Sequence, residues 1–147
     1  MSKYILGVIG AGFMASALVK GAISSGALSA EEIFVSDLND DALDRISKLG
    51  VSVTKDTKSL ADSCEFVLFA IKPQNLNDVL KTIDGCVCRK FISIMAGVKK
   101  AKIKNILLNS LVARCMPNTP CSIGFGAVGV DVSDFSSPVD VDFIKYI

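Results

Sequence analysis

Histidine is missing from all 147 residues. With it goes the side chain that most often moves a proton at neutral pH or closes a zinc site. The cysteines do not fill that gap: there are five (Cys64, Cys86, Cys88, Cys115 and Cys121), and no two form a C-x-x-C pair. The nearest two, Cys86 and Cys88, read as buried reduced thiols, which predicts no metal and points to a reducing, cytoplasmic setting. Charge of one sign is lacking too. Lys and Arg total 16 against 15 Asp and Glu, and a net charge of +1 offers no basic face to nucleic acid. The longest apolar run, Phe66 to Ile71, is far too short to cross a bilayer. Lys3, the apolar stretch after it and Ala15-Ser16-Ala17 imitate a secretory leader, but Gly7, Gly10 and Gly12 interrupt its core. No membrane association is expected. The chain length suits one domain, and an apolar fraction of 50% is ample for its core.

What is present is alternation. Tyr4 to Ile9 reads as a strand buried on both faces, and Phe13 to Ser25 as a helix with Met14, Ala17, Leu18 and Gly21 turned inward. Glu32 to Ser36 is a second strand, followed by a helix capped at Asn39 and closed at Gly50. Val51 to Thr54 and Glu65 to Ile71 continue the strands, with a short helix from Thr57 to Asp62 between them. Pro73 opens the next helix, which runs to Ile83; Lys90 to Met95 is a strand, Lys99 to Leu108 a basic helix, and Leu111 to Met116 a strand. Such alternation predicts an α/β fold, a doubly wound and mostly parallel sheet with helices on both faces. Gly124 to Val132 reads as one more strand, which sets a domain at residues 1–132. Ser137 and Pro138 then start a helix within 133–147. That helix carries Phe143, Ile144 and Ile147 on one face and has no C-cap, so it is expected to lead into a further, helical domain.

The segment Gly7-Val8-Ile9-Gly10-Ala11-Gly12-Phe13-Met14-Ala15 carries the spacing G-x-G-x-x-A between the first strand and the first helix. Gly10 permits a tight turn, Gly12 lets backbone approach a pyrophosphate, and Ala15 lets the helix pack close to the sheet. The first helical N–H groups would face the phosphates. In open sheets of this kind ligands bind beyond the carboxyl ends of the strands. The unusual residues collect there: Gly10 to Gly12, Asp37, Ile71 to Pro73, Ala96 and Gly97, and Met116 to Asn118. Asp37 lies about twenty residues past the glycine turn, where a carboxylate takes the ribose hydroxyls of NAD and repels the 2′-phosphate of NADP. A solvated turn residue is the alternative. Lys72 reads either as a cation beside the cofactor or as a snorkelling surface lysine, and Asn118 either as a hand on the nicotinamide or as a turn stabiliser. With no histidine, and with Tyr4 and Tyr146 outside the predicted crevice, an imine that brings its own proton suits the site better than a carbonyl.

Four motifs in this order resemble the N-terminal domain of the pyrroline-5-carboxylate reductase family. They are Ile9 to Ala15, Ala70-Ile71-Lys72-Pro73-Gln74, Ser93 to Val98, and Arg114 to Pro120 leading into Gly124 to Ala127. The resemblance implies a Rossmann-like domain that binds NAD or NADP and reduces a cyclic imine, 1-pyrroline-5-carboxylate, to proline. It places Gly10, Gly12, Phe13, Met14 and Ala15 at the pyrophosphate, and Ser36, Asp37 and Thr57 on the adenosine side. Ala70, Lys72, Pro73, Ala96, Gly97 and Asn118 fall on the nicotinamide side, and Met116, Pro117, Asn118 and Thr119 form the floor of the imine pocket. Asp37 stands where the family commonly has Ser or Arg, Thr57 where many members have Asn, and Met95 where Ala is usual, which predicts extra bulk near the nicotinamide. The family's second, helical domain, which carries further substrate contacts and the homo-oligomer interface, has no counterpart here. The chain alone is therefore expected to bind cofactor with little reductase activity. Two other readings share the first turn: a non-enzymatic dinucleotide-binding module and a 3-hydroxyacid-dehydrogenase-like protein.

Overall fold

A computed structural model describes residues 2–116 and 129–146. Its sheet has seven strands in the order β3-β2-β1-β4-β5-β6-β7. They are β1 (Tyr4–Ile9), β2 (Ile33–Ser36), β3 (Ser52–Thr54), β4 (Cys64–Phe69), β5 (Lys90–Ser93), β6 (Leu111–Met116) and β7 (Gly129–Asp131). All pairings are parallel except β6 with β7, which is antiparallel. The crossovers are α1 (Phe13–Ser24), α2 (Asp40–Ser47), α3 (Thr57–Ser63), α4 (Leu76–Ile83) and α5 (Lys100–Lys104), and α6 (Pro138–Tyr146) follows β7.

Strands with apolar residues at every position bury both faces, and two cores result. Leu6, Val8, Phe66, Leu68 and Ile92 meet α1, α2 and α6 on one side; Val67, Phe69 and Phe91 meet α3, α4 and α5 on the other. Gly7 makes the second contact possible, since a Cβ there would stand 2.5 Å from Leu60 Cδ2 and 2.7 Å from Cys64 Sγ. α6, which falls within the stretch expected to be helical, packs back on the first core through Ile144 and through Phe143, whose ring centroid lies 4.5 Å from that of Phe66.

Several boundaries differ from expectation. The inward face of α1 is Ala15, Ala17, Val19 and Ala22, while Met14, Leu18 and Gly21 are half-buried. Apolar residues occur on every side of that helix, so periodicity does not select a face, and small residues take the closest approach to the sheet. β4 stops at Phe69 and β5 at Ser93, each short of its apolar run. α5 covers only Lys100–Lys104, after which the chain turns irregularly, with Asn109 at φ 63°. The seventh strand is shorter than expected within the described residues, and positions 124–128 lie outside them.

Candidate functional site

Strand order reverses between β1 and β4, because β2 and β3 extend one way and β5 to β7 the other. A hollow of about 800 Å³ opens at the carboxyl ends there. It lies where such sheets leave a crevice, and its size suits a small-molecule site. Hydrogen bonds past the strand ends hold its floor. Gly10 N–H donates to Ser36 O at 2.8 Å, and Ala70 N–H donates to Ile9 O at 2.9 Å.

The glycine turn is fitted closely at one residue and left open at the other. Gly10 has φ 108°, and a Cβ on it would fall 2.4 Å from Ala70 O. Gly12 is the N-cap of α1, and a Cβ on it would meet nothing within 4 Å. No side chain caps α1, and no acidic residue stands in its first turn. α4 and α5 likewise lack a side-chain cap, though α4 has Asp78 in its first turn, whereas α2 and α3 are capped. Asn39 Oδ1 accepts from Ala42 N–H at 2.9 Å at the start of α2, and Asp56 Oδ1 accepts from Ser59 N–H at 3.0 Å at the start of α3. The positive end of α1 is thus left for something other than its own side chains.

Asp37 sits at the expected strand end and has a second occupation. One carboxylate oxygen accepts Ala11 N–H at 2.8 Å and the other accepts Asn39 N–H at 2.9 Å, so the acid fastens the glycine turn to the end of β2. Thr57 Oγ1 lies 3.4 Å from Ser36 Oγ as donor on the same wall.

Of the residues singled out in the sequence, Gly10, Gly12, Ser36, Asp37, Thr57, Ala70 and Lys72 line this hollow together. Phe13 is 71% exposed and borders an adjoining groove of about 510 Å³ between α1 and α2. Met14 is half-buried on α1, and Ala15 is buried in the core, where its small side chain sets the helix-to-sheet distance. Pro73 is exposed at the start of a single 3-10 turn, and Ala96 and Gly97 are exposed beyond β5; none of these three lines the hollow. Met95 is 3% exposed and belongs to the second core. Met116 ends β6, while Pro117, Asn118 and Thr119 lie outside the described residues.

Sequence reasoning missed Arg45, Lys55, Asp56, Asn75, Val79 and Thr82, which also line the hollow. Lys55 forms an ion pair with Asp40 at 2.7 Å, and Arg45 borders the adjoining groove as well. One signal was available: Asn75, the N-cap of α4, and Val79 and Thr82 within it fall at helical spacing on one side.

Strand order, glycine turn and open helix terminus define a Rossmann-like α/β domain. The chain belongs to the family described as NADP oxidoreductase, coenzyme F420-dependent, whose model matches residues 5–97. It is 33% identical over 145 residues to the pyrroline-5-carboxylate reductase of Methanosarcina acetivorans, covering 96% of this chain and 54% of that protein. The structure of a pyrroline-5-carboxylate reductase from Coxiella burnetii superposes with a TM-score of 0.86 at 30% identity, covering 97% of this chain and 54% of that one. A Plasmodium falciparum pyrroline carboxylate reductase, solved with NADP bound, has the same fold at a TM-score of 0.81 and 24% identity, with 98% of this chain and 53% of that one covered. The chain spans about half the length of the curated relatives it matches. Among the described residues, no helix is long and apolar enough to cross a membrane.

Proposed function

We propose that this chain is the cofactor-binding part of a reductase that converts 1-pyrroline-5-carboxylate to proline at the expense of NADH or NADPH. The observation that carries the reading is the uncapped amino end of α1 above Gly12, a cradle that any Cβ would begin to fill. A diphosphate satisfies both features, since it takes the N–H groups of Phe13, Met14 and Ala15 and needs the missing side chain at Gly12. Ser36, Asp37 and Thr57 then receive the adenosine ribose. Ala70 and Lys72, on the wall of the hollow, are assigned to the nicotinamide side together with Pro73, Ala96 and Gly97; of the residues assigned to the imine, Met116 to Thr119, those past Met116 lie outside the described residues, Asn118 among them. When bound, the dihydronicotinamide supplies a hydride to the imine carbon. A protonated imine arrives carrying its proton, so the absence of histidine is no obstacle. The remaining substrate contacts, and the contacts of a homo-oligomer, come from a second half such as the longer relatives carry.

Asp37 gives NADH the advantage. Its two backbone hydrogen bonds hold the carboxylate in the wall of the hollow, and a 2′-phosphate brought to the same place meets a fixed negative charge. Fluorescence titration of the 147-residue chain with both nucleotides tests the reading. NADH is expected to bind several-fold more tightly than NADPH, and Asp37→Ser to narrow or reverse the ratio. Equal affinities in the parent chain would remove the preference, and no saturable binding of either would remove the site. Turnover of 1-pyrroline-5-carboxylate by the full-length product tests the activity itself.

A further inference from the structure

The glycine turn is pinned on one side and hangs from a single side chain on the other. Gly10 is fixed where it leaves β1, since its N–H donates to Ser36 O at 2.8 Å. Ala11 follows with a glycine on either side, and glycine leaves the backbone free to turn. Ala11 is 2% exposed, so its N–H has little access to water and needs a partner inside the protein. Among the described residues that partner is the Asp37 carboxylate alone, at 2.8 Å and 26 positions away in the chain.

The carboxylate is anchored independently of the turn it holds. Its other oxygen accepts Asn39 N–H at 2.9 Å, and the Asp37 N–H donates to Thr54 O at 3.3 Å, beside the end of β3. The ends of β2 and β3 thus fix Asp37, and Asp37 fixes Ala11. With the Ala11 N–H directed away to this acid, the donors left for a phosphate begin with the first turn of α1, which no side chain caps. Without the acceptor, a buried N–H has to find another partner. Gly10 and Gly12 then let the segment turn toward it, which carries the start of α1 out of register with the phosphates.

We infer that Asp37 is a positioning residue for the diphosphate, acting through Ala11 N–H. This rests on the dinucleotide reading of the crevice and divides the acid's work in two. Its negative charge sets NADH against NADPH. Its acceptor oxygen toward Ala11 sets the affinity for the phosphates of either.

Equilibrium dialysis of the 147-residue chain against adenosine and against ADP separates the two. Both probes carry the ribose hydroxyls and only ADP carries a diphosphate, so the ratio of their affinities reads the phosphate cradle. Asp37→Ala is expected to lower the ADP-to-adenosine ratio by about fivefold or more, the effect of one lost hydrogen bond to a charged acceptor. Asp37→Asn keeps one acceptor oxygen without the charge. Of its two donors Ala11 N–H is the buried one and Asn39 is exposed, so the oxygen goes to Ala11. Asp37→Asn is therefore expected to hold the ratio at or above the parent value while narrowing the preference for NADH. Should Asp37→Ala not fold, Asp37→Ser takes its place, because its hydroxyl ends one bond short of the carboxylate oxygen. The inference falls if Asp37→Ala weakens adenosine and ADP alike, which is the result of lost ribose contacts only. It falls equally if Asp37→Ala raises the ratio, the result of a lost charge only, or if Asp37→Asn loses as much as Asp37→Ala. A parent chain that binds neither ADP nor NADH would overturn the crevice reading and this inference together, whereas a parent that binds both with an unchanged ratio in Asp37→Ala overturns this inference alone.

Discussion

Gly10 and Gly12 stand two positions apart and answer to different constraints. A side chain at Gly10 would strike main chain, 2.4 Å from Ala70 O, in a conformation that side chains avoid. Gly10→Ala should therefore cost about 2–3 kcal/mol of stability, or roughly 5–10 °C in Tm for a chain of this size. At Gly12 a Cβ meets open space, so Gly12→Val should leave Tm within about 1–2 °C of the parent and lower dinucleotide affinity at least tenfold. Calorimetry and a nucleotide titration on the same two proteins check both halves, and a Gly12→Val protein that binds normally would sink the loop assignment. The pair also marks what the sequence made legible. G-x-G-x-x-A placed the turn and its neighbours correctly, because each small residue there serves a local geometric need. Asp37 was legible as a strand-end acid, but its bond to Ala11 N–H joins residues 26 apart in the chain, and only strand order brings them together. Arg45, Lys55 and Val79 look like ordinary helix or loop surface until the sheet fixes which side of each element faces the crevice.

Among the elements, the strands were readable and the helix faces were not. A parallel strand buried on both sides announces itself as an apolar run, and β6 was expected at its observed bounds. Helix faces depend on contrast between sides, which α1 lacks and α2 has in plenty. The join between β7 and α5 was not legible at all. Asp134 Oδ2 accepts Val112 N–H at 3.0 Å and pairs with Lys104 at 2.9 Å, while its other oxygen pairs with Lys100 at 3.2 Å. Burial works to raise its pKa, but the Val112 N–H and the two ammonium groups outweigh it and leave the pKa lowered from 3.8. A carboxyl with a lowered folded pKa stabilises the fold above its unfolded value, and that increment is lost as pH falls through the folded one. Exposed Asp131 follows the same rule, drawn down to about 2 by Ser133 N–H and hydroxyl and by Lys100. Asp134→Ala should cost about 2 kcal/mol at pH 7, where its loss leaves Val112 N–H unpaired. Between pH 4 and pH 2 the parent should fall toward the variant. Denaturant midpoints measured across that range check it, and curves that stay parallel would exclude the clasp.

At the scale of the molecule, the two cores enclose thiols whose ionisation is coupled to folding as a whole. Cys64, Cys86, Cys88 and Cys115 are all buried and free. Burial pushes Cys64 and Cys88 up to about 12 and Cys115 up to about 11, and it raises Cys86 as well. The unfolded thiols ionise near the ordinary value of 9.0. An acid whose folded pKa is raised keeps its proton in the native state, so the native state has its full advantage below about pH 9 and loses it as pH climbs toward the folded values. Each thiol then removes about 1.4 kcal/mol per pH unit above 9. Lys90 acts in a later window. Burial opposes its charge, but the hydrogen bond and charge of Asp140, with Glu65 behind them, win and leave its pKa above 10.5, so its contribution fades only beyond that. A comparison between pH 8 and pH 10 therefore isolates the cysteines. Cys88→Ala carries a constant packing cost at every pH, together with relief from the ionisation cost. Its deficit relative to the parent in urea unfolding should shrink by about 1 kcal/mol from pH 8 to pH 10. A deficit of the same size at both pH values would mean that Cys88 ionises as readily inside the fold as outside it, and that the core beside β4 and β5 is open to water.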